Sequence, residues 1–185
     1  YTSKYNRWNA ETRINLFKIL HYGMTMCINS LISVPKIGNE LFLNIIKKIT
    51  RVKMVKKIGR CRLYYHNAPR YFIRFSAEPP YFYSDKHGEC VSSHVKSILI
   101  CDNMQYIAFA SYNSSLFYAW FVAVSNCRDL TVRDVNSFPL CCGKFDKELI
   151  DELFDDYNKN CKRKHTYYNA TGNVIYDEYY PKLSK

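Results

Sequence analysis

Apolar residues recur at helical spacing in three parts of the chain. Residues 9–22 place Ile14, Phe17 and Leu20 on one side of a predicted helix. Residues 39–50 and 145–160 form two further predicted helices, the second of them with an acidic outer side. Their apolar stripes consist of Leu41, Phe42, Ile45, Ile46 and Ile49 in the first case, and of Leu149, Leu153 and Tyr157 in the second. We expect all three stripes to pack into a core.

Short aromatic and β-branched runs predict strands at residues 62–65, 71–75 and 95–101. Two Tyr-rich runs near the end of the chain flank a turn at residues 170–173, which predicts a hairpin. Strands and helices together predict an α+β fold, with mixed helices and a small, mainly antiparallel sheet.

Residues 103–127 contain no charged side chain, and a stretch of this length could cross a membrane. However, Asn113, Ser114 and Ser115 lie at its centre, so we predict two short buried helices that meet at a polar break. Asp102 is placed to cap the first helix, with Gln105 completing a capping box. A further short helix should begin at Thr131, with Asp134 in the equivalent box position.

The composition favours a folded chain with a polyanionic partner. The 185 residues are 48% apolar, enough for one domain or slightly more with a real core. The formal net charge is +11, and aromatic residues make up 16% of the chain. Eight cysteines occur without any Cys-x-x-Cys pair, which favours reduced thiols in a cytoplasmic protein over a secreted disulfide framework.

The positive charge is concentrated in one interval. No Asp or Glu occurs between Glu40 and Glu78, so the cations there lack local compensation, and Tyr64 and Tyr65 are interleaved with them. Basic groups neutralise phosphates and aromatic faces pack on bases, which indicates a nucleic-acid site. A solubilising surface or a membrane-surface patch are the alternatives. The cations of this interval are Lys47, Lys48, Arg51, Lys53, Lys56, Lys57, Arg60, Arg62, Arg70 and Arg74.

No catalytic, cofactor or metal site is predicted within the chain. Residues 78–81 (Glu-Pro-Pro-Tyr) resemble the Pro-Pro-Tyr motif of amino-methyltransferases, but the first residue is unusual and no Gly-rich cofactor loop occurs. His87, Cys90 and His94 have the ligand types of a zinc site without a standard spacing. We therefore interpret both segments as loops.

Three segments in order resemble one family. They are residues 112–121 (Tyr-Asn-Ser-Ser-Leu-Phe-Tyr-Ala-Trp-Phe), residues 127–140, which begin Cys-Arg-Asp-Leu-Thr-Val-Arg-Asp-Val and end Phe-Pro-Leu, and residues 179–185 (Tyr-Tyr-Pro-Lys-Leu-Ser-Lys). The family is the C-terminal target-recognition region of adenine-specific DNA methyltransferases, especially fused type IIG restriction–modification enzymes. The resemblance is strong from about residue 107 onward and weaker before it.

The resemblance implies a function and a domain organisation. It implies sequence-specific recognition of double-stranded DNA by part of a bacterial, cytoplasmic restriction–modification enzyme. The methyl group would come from S-adenosylmethionine bound by an upstream methyltransferase domain in cis, not by this chain. We expect both ends of the chain to be boundaries inside a longer protein. Residues 1–23 would be a connector helix, residues 24–140 the target-recognition core, and residues 141–185 a C-terminal helix with the Tyr-rich hairpin.

Two residues of the second segment could read bases. Arg128 and Arg133 could reach phosphates or base edges, because Arg can pair with guanine through two hydrogen bonds. They could equally form internal pairs that fix their loop. Two further functions stay open for the chain: a general RNA- or single-strand-binding module, and an unrecognised catalytic domain.

Overall fold

The computed structural model describes residues 1–6, 8–24, 34–51, 59–69, 72–140 and 146–180. The chain divides into two units, each built from two separate stretches of sequence. Unit 1 comprises Tyr1–Val55 and Ser115–Cys142, and unit 2 comprises Lys56–Ser114 and Gly143–Lys185. The three consecutive segments expected from the sequence were a functional division, and that division stays a prediction.

Strands and helices occur largely in separate runs along the described residues, with the strands of residues 61–100 followed by the helices of residues 105–160, and every strand pairing is antiparallel. The predicted α+β class is therefore confirmed. The helices are α1 (Leu16–Ile19), α2 (Glu40–Thr50), α3 (Gln105–Tyr112), α4 (Ser115–Val124), α5 (Val132–Ser137) and α6 (Lys147–Asn160). The strands are β1 (Thr2–Ser3), β2 (Tyr22–Gly23), β3 (Cys61–His66), β4 (Phe75–Ser76), β5 (Phe82–Ser84), β6 (Gly88–Glu89), β7 (Val95–Ile100), β8 (Cys161–Tyr168) and β9 (Gly172–Tyr179).

The first predicted helix, over residues 9–22, is wrong. Only a 3₁₀ turn at Arg13–Asn15 and the four residues of α1 are helical, and the side chains of Ile14 and Phe17 are exposed. Asn9 still caps the beginning of this segment, because its Oδ1 accepts a hydrogen bond from the backbone N–H of Thr12 at 2.9 Å. Residues 13–19 include no buried side chain, and most helical stability in proteins comes from packing of an apolar face, so a longer helix is not stabilised here.

Helix α2 forms where the sequence predicted it. Asn39 caps it by accepting a hydrogen bond from the N–H of Phe42 at 2.8 Å. The buried side chains are those of Leu43, Ile46 and Ile49, whereas Leu41 is exposed. The predicted stripe was thus rotated by part of a turn, since three consecutive apolar residues at 41–43 leave the phase of the helix ambiguous.

Helices α4 and α5 supply much of the core of unit 1. Phe117, Trp120 and Phe138 are buried against one another, with the ring of Phe138 edge-on to both others. The Trp120 Nε1–H donates to Ser137 Oγ at 3.3 Å. The predicted capping box of α5 is confirmed. Thr131 Oγ1 accepts from the N–H of Asp134, and the Asp134 carboxylate accepts from the N–H of Thr131.

Unit 2 contains two antiparallel sheets, with strand orders β4-β3-β7 and β6-β5-β9-β8. The predicted strand over residues 95–101 is confirmed as β7, while of the described residues in the run 71–75 only Phe75 lies in a strand. The first sheet packs on α3 through a stack of three buried rings. Phe75 lies between Tyr65 at 5.1 Å and Tyr112 at 4.6 Å, measured between ring centroids.

Asn113 and Asp102 tie α3 to this sheet. The Asn113 amide bonds both backbone groups of Phe75, at 2.9 and 3.2 Å. Asp102 does not cap α3 as predicted, and lies instead in a 3₁₀ turn at Asp102–Met104. Its Oδ1 accepts from the backbone N–H groups of Arg60 and Cys61, at 2.8 and 3.3 Å. A long-range acceptor role has replaced the local one.

Helix α6 begins at its cap Asp146 and leads directly into the hairpin of β8 and β9. Ile150 and Tyr157 are buried in unit 2, whereas Leu149 and Leu153 are exposed, so their predicted inward orientation is wrong. The rings of Phe154 and Tyr157 pack edge-on against Phe109 of α3. The inner stripe therefore runs through positions 150, 154 and 157, which also fit helical spacing.

The predicted hairpin turn is confirmed, since β8 ends at Tyr168 and β9 begins at Gly172. Gly172 has a φ of 73°, and a Cβ there would lie 2.6 Å from the carboxylate of Asp85. That carboxylate accepts two hydrogen bonds from Asn173, at 2.8 and 2.9 Å. The hairpin is thereby attached to the loop that follows β5.

No single helix among the described residues is long and apolar enough to cross a membrane. The segments Asp102–Tyr112 and Ser115–Val124 meet the length and composition test only as a pair that is bent at the break between them. The prediction of two helices meeting at a polar break is confirmed.

Candidate nucleic-acid interface

The predicted site residues fall into two groups, one in each unit. Lys53, Lys56, Lys57 and Arg70 lie outside the described residues. Unit 1 holds Lys47, Lys48, Arg51, Arg128 and Arg133, and unit 2 holds Arg60, Arg62, Tyr64, Tyr65 and Arg74.

In unit 1, three of the predicted cations lie at the C-terminal end of α2. Lys47 and Lys48 are in its last turn and Arg51 is the C-cap residue. The negative end of the helix dipole favours cations there. Lys48 and Arg51 are exposed, and Lys47 is half-buried. These side chains are available to phosphates.

Arg128 and Arg133 lie on either side of the cap of α5. The backbone turns sharply before them, with a φ of 59° at Cys127 and with Asn126 Oδ1 accepting from the N–H groups of Arg128 and Asp129. Arg128 forms a pair with Asp129 at 3.8 Å, but both side chains are largely exposed, so the pair contributes little stability. Arg133 is exposed on the first turn of α5, whose capping box fixes the direction in which the helix begins.

In unit 2, β3 presents its residues alternately to the two faces of the sheet. Arg62 and Tyr64 lie on the outer face, where Arg62 is exposed and donates from Nη1 to Ser97 Oγ at 3.2 Å. Arg60 is exposed just before the strand. The ring of Tyr65 lies on the inner face and is buried in the core stack, which corrects its selection as a DNA contact.

Arg74 is half-buried and engaged inside unit 2. Its Nη1 donates to the backbone carbonyl oxygen of Asp177 at 3.2 Å. Burial raises the pKa of the Tyr157 phenol and of the Cys161 thiol, and the positive charge of Arg74 opposes both shifts. Arg74 therefore has an internal electrostatic role in addition to the phosphate contact predicted for it.

Sequence analysis missed a second basic segment, strand β8, at the edge of the four-stranded sheet. Its residues read Cys-Lys-Arg-Lys-His-Thr-Tyr-Tyr, and Lys162, Arg163 and His165 are exposed. The signal was available, because no Asp or Glu occurs between Asp156 and Asp177. That acid-free interval, at residues 157–176, is shorter than the one at residues 41–77 and holds fewer cations.

Two cations of β8 are partly neutralised by the neighbouring strand β9. Arg163 pairs with Asp177 at 3.2 Å, and Lys164 pairs with Glu178 at 3.0 Å. Burial raises the pKa of Glu178, but hydrogen bonds from Lys164 and Tyr180 outweigh burial, so that the pKa of Glu178 is lowered. The hydrogen bond to Glu178 raises the pKa of Lys164 in turn. Both groups are therefore held in their charged forms at neutral pH.

A cleft of about 670 Å³ opens in unit 2 between the end of β3 and the four-stranded sheet. It has the size of a small-molecule site. Its lining includes His66 and His94, whose rings are stacked at 5.5 Å, together with the rings of Phe72, Tyr81, Tyr168 and Tyr176.

The metal and cysteine chemistry of the described residues is limited. No group of three or more His, Cys, Asp or Glu side chains in those ranges is placed to hold a metal ion. Cys61, Cys90, Cys101, Cys127 and Cys161 are free thiols.

Comparison with known proteins identified no matching family model, no matching curated protein and no matching solved structure.

Proposed function

We propose that this chain recognises double-stranded DNA in a sequence-specific manner, as the target-recognition domain of an adenine-N6 DNA methyltransferase or restriction–modification enzyme. The observation that supports nucleic-acid binding is that many of the predicted cations are exposed and little engaged in ion pairs. Six of them are exposed: Lys48, Arg51, Arg60, Arg62, Arg128 and Arg133. Of the ion pairs formed by the described residues, only the weak Arg128–Asp129 pair involves one of these six.

The charge pattern supports a division of labour between these residues. The cations at the end of α2 and the start of β3 lie in sequence without acids, and suit phosphate contacts that raise affinity for every sequence. Arg133 projects from a helix whose start is fixed by a capping box, and suits a contact of defined geometry with a base edge. The assignment to adenine methylation rests on the resemblance of three segments described above.

The parent protein is proposed to bind S-adenosylmethionine in a separate upstream domain in the bacterial cytoplasm. This chain is proposed to contribute no catalytic residue. Titration calorimetry of the isolated chain with S-adenosylmethionine should give no heat of binding, whereas micromolar affinity would restore the catalytic alternative.

The salt dependence of DNA binding tests the electrostatic part of the proposal. If the four exposed cations at the end of α2 and the start of β3 contact phosphates, the logarithm of the association constant should fall with the logarithm of salt concentration with a slope of about −4, at about −0.9 per contact. Fluorescence anisotropy with labelled duplexes measures this slope. A slope near zero would show that the cations form only a solvated surface.

A matched pair of variants makes the test specific. Lys48→Ala combined with Arg51→Ala should reduce the slope by about 2 on every duplex, because two phosphate contacts are removed. Lys147→Ala combined with Lys159→Ala is the control for net charge, since it removes two exposed cations of α6 that lie outside the predicted set and outside β8. Equal effects of the two double variants on duplex binding would contradict the assigned site. Competition between duplex and single-stranded DNA distinguishes the proposal from a general single-strand-binding module.

A further inference from the structure

The cleft of unit 2 is unusual in the number of rings that line it. Six Phe or Tyr rings and three His rings contribute to its walls. These rings differ from the stack of Tyr65, Phe75 and Tyr112, which is buried in the core. Tyr168 is 51% exposed at one side of the cleft and Phe72 is 38% exposed at another. The cleft therefore presents aromatic surface to a ligand instead of using all of it for packing.

The carboxylates in the cleft wall are already bound to groups of unit 2. Asp177 accepts from the N–H of Tyr81 at 2.9 Å and from Arg163 Nε at 3.2 Å. Glu178 accepts from Lys164 Nζ at 3.0 Å. An anionic ligand would thus approach carboxylates whose charge is compensated. The Arg163 guanidinium also lies over the ring of Tyr81, 3.8 Å from its centroid.

Strand β8 leads from the cleft past two lysines, the exposed Lys162 and Lys164, which is paired with Glu178. Lys162, Lys164 and Tyr168 are separated by even numbers of residues and share one face of the strand. At about 3.3 Å per residue, Lys164 lies about 13 Å and Lys162 about 20 Å along the strand from Tyr168. A ring site followed by spaced cations on one face matches a nucleotide strand, in which planar bases and charged phosphates alternate.

We propose that this cleft binds an unstacked nucleobase, with the adjoining phosphates directed along the lysine face of β8. The proposal rests on the proposed nucleic-acid function and adds a second site to it, which the duplex contacts do not require. The base is attracted by stacking on Tyr168 and the neighbouring rings. The carboxylates of the cleft wall repel the phosphates little, because their charge is compensated by Arg163 and Lys164.

Tyr167 and Tyr168 provide a matched pair of variants. They are adjacent, both are exposed, and they lie on opposite faces of β8, so that only Tyr168 lines the cleft. Because both side chains are more than half exposed, neither substitution should disturb the fold, and thermal unfolding checks this. Tyr168→Ala should weaken binding of a single-stranded oligothymidylate about 5- to 100-fold, the range for loss of one stacked base. Tyr167→Ala should leave it within about twofold. Equal effects of the two variants, or none from Tyr168→Ala, would overturn the proposal.

Two further probes establish what the cleft recognises. The same oligonucleotide with abasic sites retains its phosphates but lacks bases. Wild type should bind the abasic strand more weakly than the intact strand. Tyr168→Ala should bind the abasic strand as tightly as wild type does. Thymidine monophosphate serves as the free-nucleotide competitor. Displacement of the strand by the nucleotide at millimolar concentration assigns the cleft to the base and its own phosphate, while failure to compete assigns it to a base within a strand. Unchanged affinity of wild type for the abasic strand would overturn base binding.

A separate measurement keeps this proposal distinct from the proposed function. Fully paired duplex binding should be unaffected by Tyr168→Ala, because the cleft accepts only an unpaired base. A duplex with one unpaired base should gain affinity over the paired duplex for wild type and for Tyr167→Ala, and not for Tyr168→Ala. If wild type binds the paired duplex but gains no affinity from the unpaired base, the cleft proposal alone fails. If wild type binds single strands but not the paired duplex, the duplex assignment alone fails.

Discussion

Asp102 should control both the stability of unit 2 and the position of two proposed DNA contacts. Its Oδ1 accepts from the N–H of Arg60 at 2.8 Å and from that of Cys61 at 3.3 Å. A hydrogen bond to a charged acceptor contributes about 1.5–3 kcal/mol, but these N–H groups are exposed and regain water when the carboxylate is removed. Asp102→Ala should therefore cost about 1–2 kcal/mol in the free energy of unfolding, and should weaken duplex binding through Arg60 and Arg62.

Urea unfolding followed by far-ultraviolet circular dichroism measures the change in stability. Asp129→Ala is the matched control, because its exposed pair with Arg128 at 3.8 Å should contribute less than about 0.5 kcal/mol. If the two variants lose the same stability, Asp102 does not anchor β3 and the argument fails.

The Cys61 thiol gives a second readout of the same contact. Burial raises the pKa of Cys61, and the negative charge and hydrogen bond of Asp102 raise it further. Asp102→Asn keeps an acceptor oxygen but removes the charge, so it should retain more stability than Asp102→Ala while lowering the Cys61 pKa. Alkylation of Cys61, followed by peptide mass spectrometry near pH 8, should then be faster than in wild type. An unchanged rate would show that the carboxylate does not influence the thiol.

Three other outcomes follow from the structure. Tyr65→Ala should destabilise the protein by about 3–5 kcal/mol in thermal or urea unfolding, because it removes a ring from the core. Tyr64→Ala removes no core ring and should cost less than about 1 kcal/mol. Similar losses in the two variants would contradict the assigned faces of β3. The folded state lowers the pKa of Glu178 from its usual 4.5. The pair of Glu178 with Lys164 therefore stabilises the hairpin fully above pH 4.5, and this stabilisation is lost as the pH falls through the lowered pKa. Glu178→Gln should thus reduce the dependence of the unfolding free energy on pH in the acid range. Arg133→Ala should weaken binding to a cognate duplex, selected from random sequences, by about 1–3 kcal/mol, and should change binding to other duplexes little, as fluorescence anisotropy would measure. An equal loss of affinity for every duplex would make Arg133 a phosphate contact.

The local features that the sequence determined correctly depend on contacts within a few residues. The capping box of Thr131 and Asp134 and the hairpin turn before Gly172 follow from residue types at fixed short spacing. Their energies are decided by neighbours in the chain, so no knowledge of the fold is needed. The polar break at Asn113 was also predictable, although its role in binding the backbone of Phe75 was not.

The candidate site was only partly predictable for the same reason. An uncompensated basic interval is visible in the sequence, but the strand period decides that Tyr64 lies on the outer face and Tyr65 in the core. The segment 71–75 and the helix over residues 9–22 had suitable patterns and formed little regular structure among the described residues. A pattern states what an element could bury, while tertiary packing decides whether a partner exists for it.

By itself, the sequence determined the α+β class, the positions of α2 to α6 and of the four longest strands, and the concentration of positive charge, because these depend on local propensity, periodicity and composition. Only the tertiary structure decided which side of α2 and α6 is buried, since several apolar positions in each helix could have formed the stripe. It also decided that Asp102 binds the start of β3 instead of capping α3. The aromatic cleft arises in the same way, because its rings come from segments between His66 and Tyr179 that are brought together only when two sheets form. Long-range pairing carries no signature at any one position of the chain, and so it had to be observed.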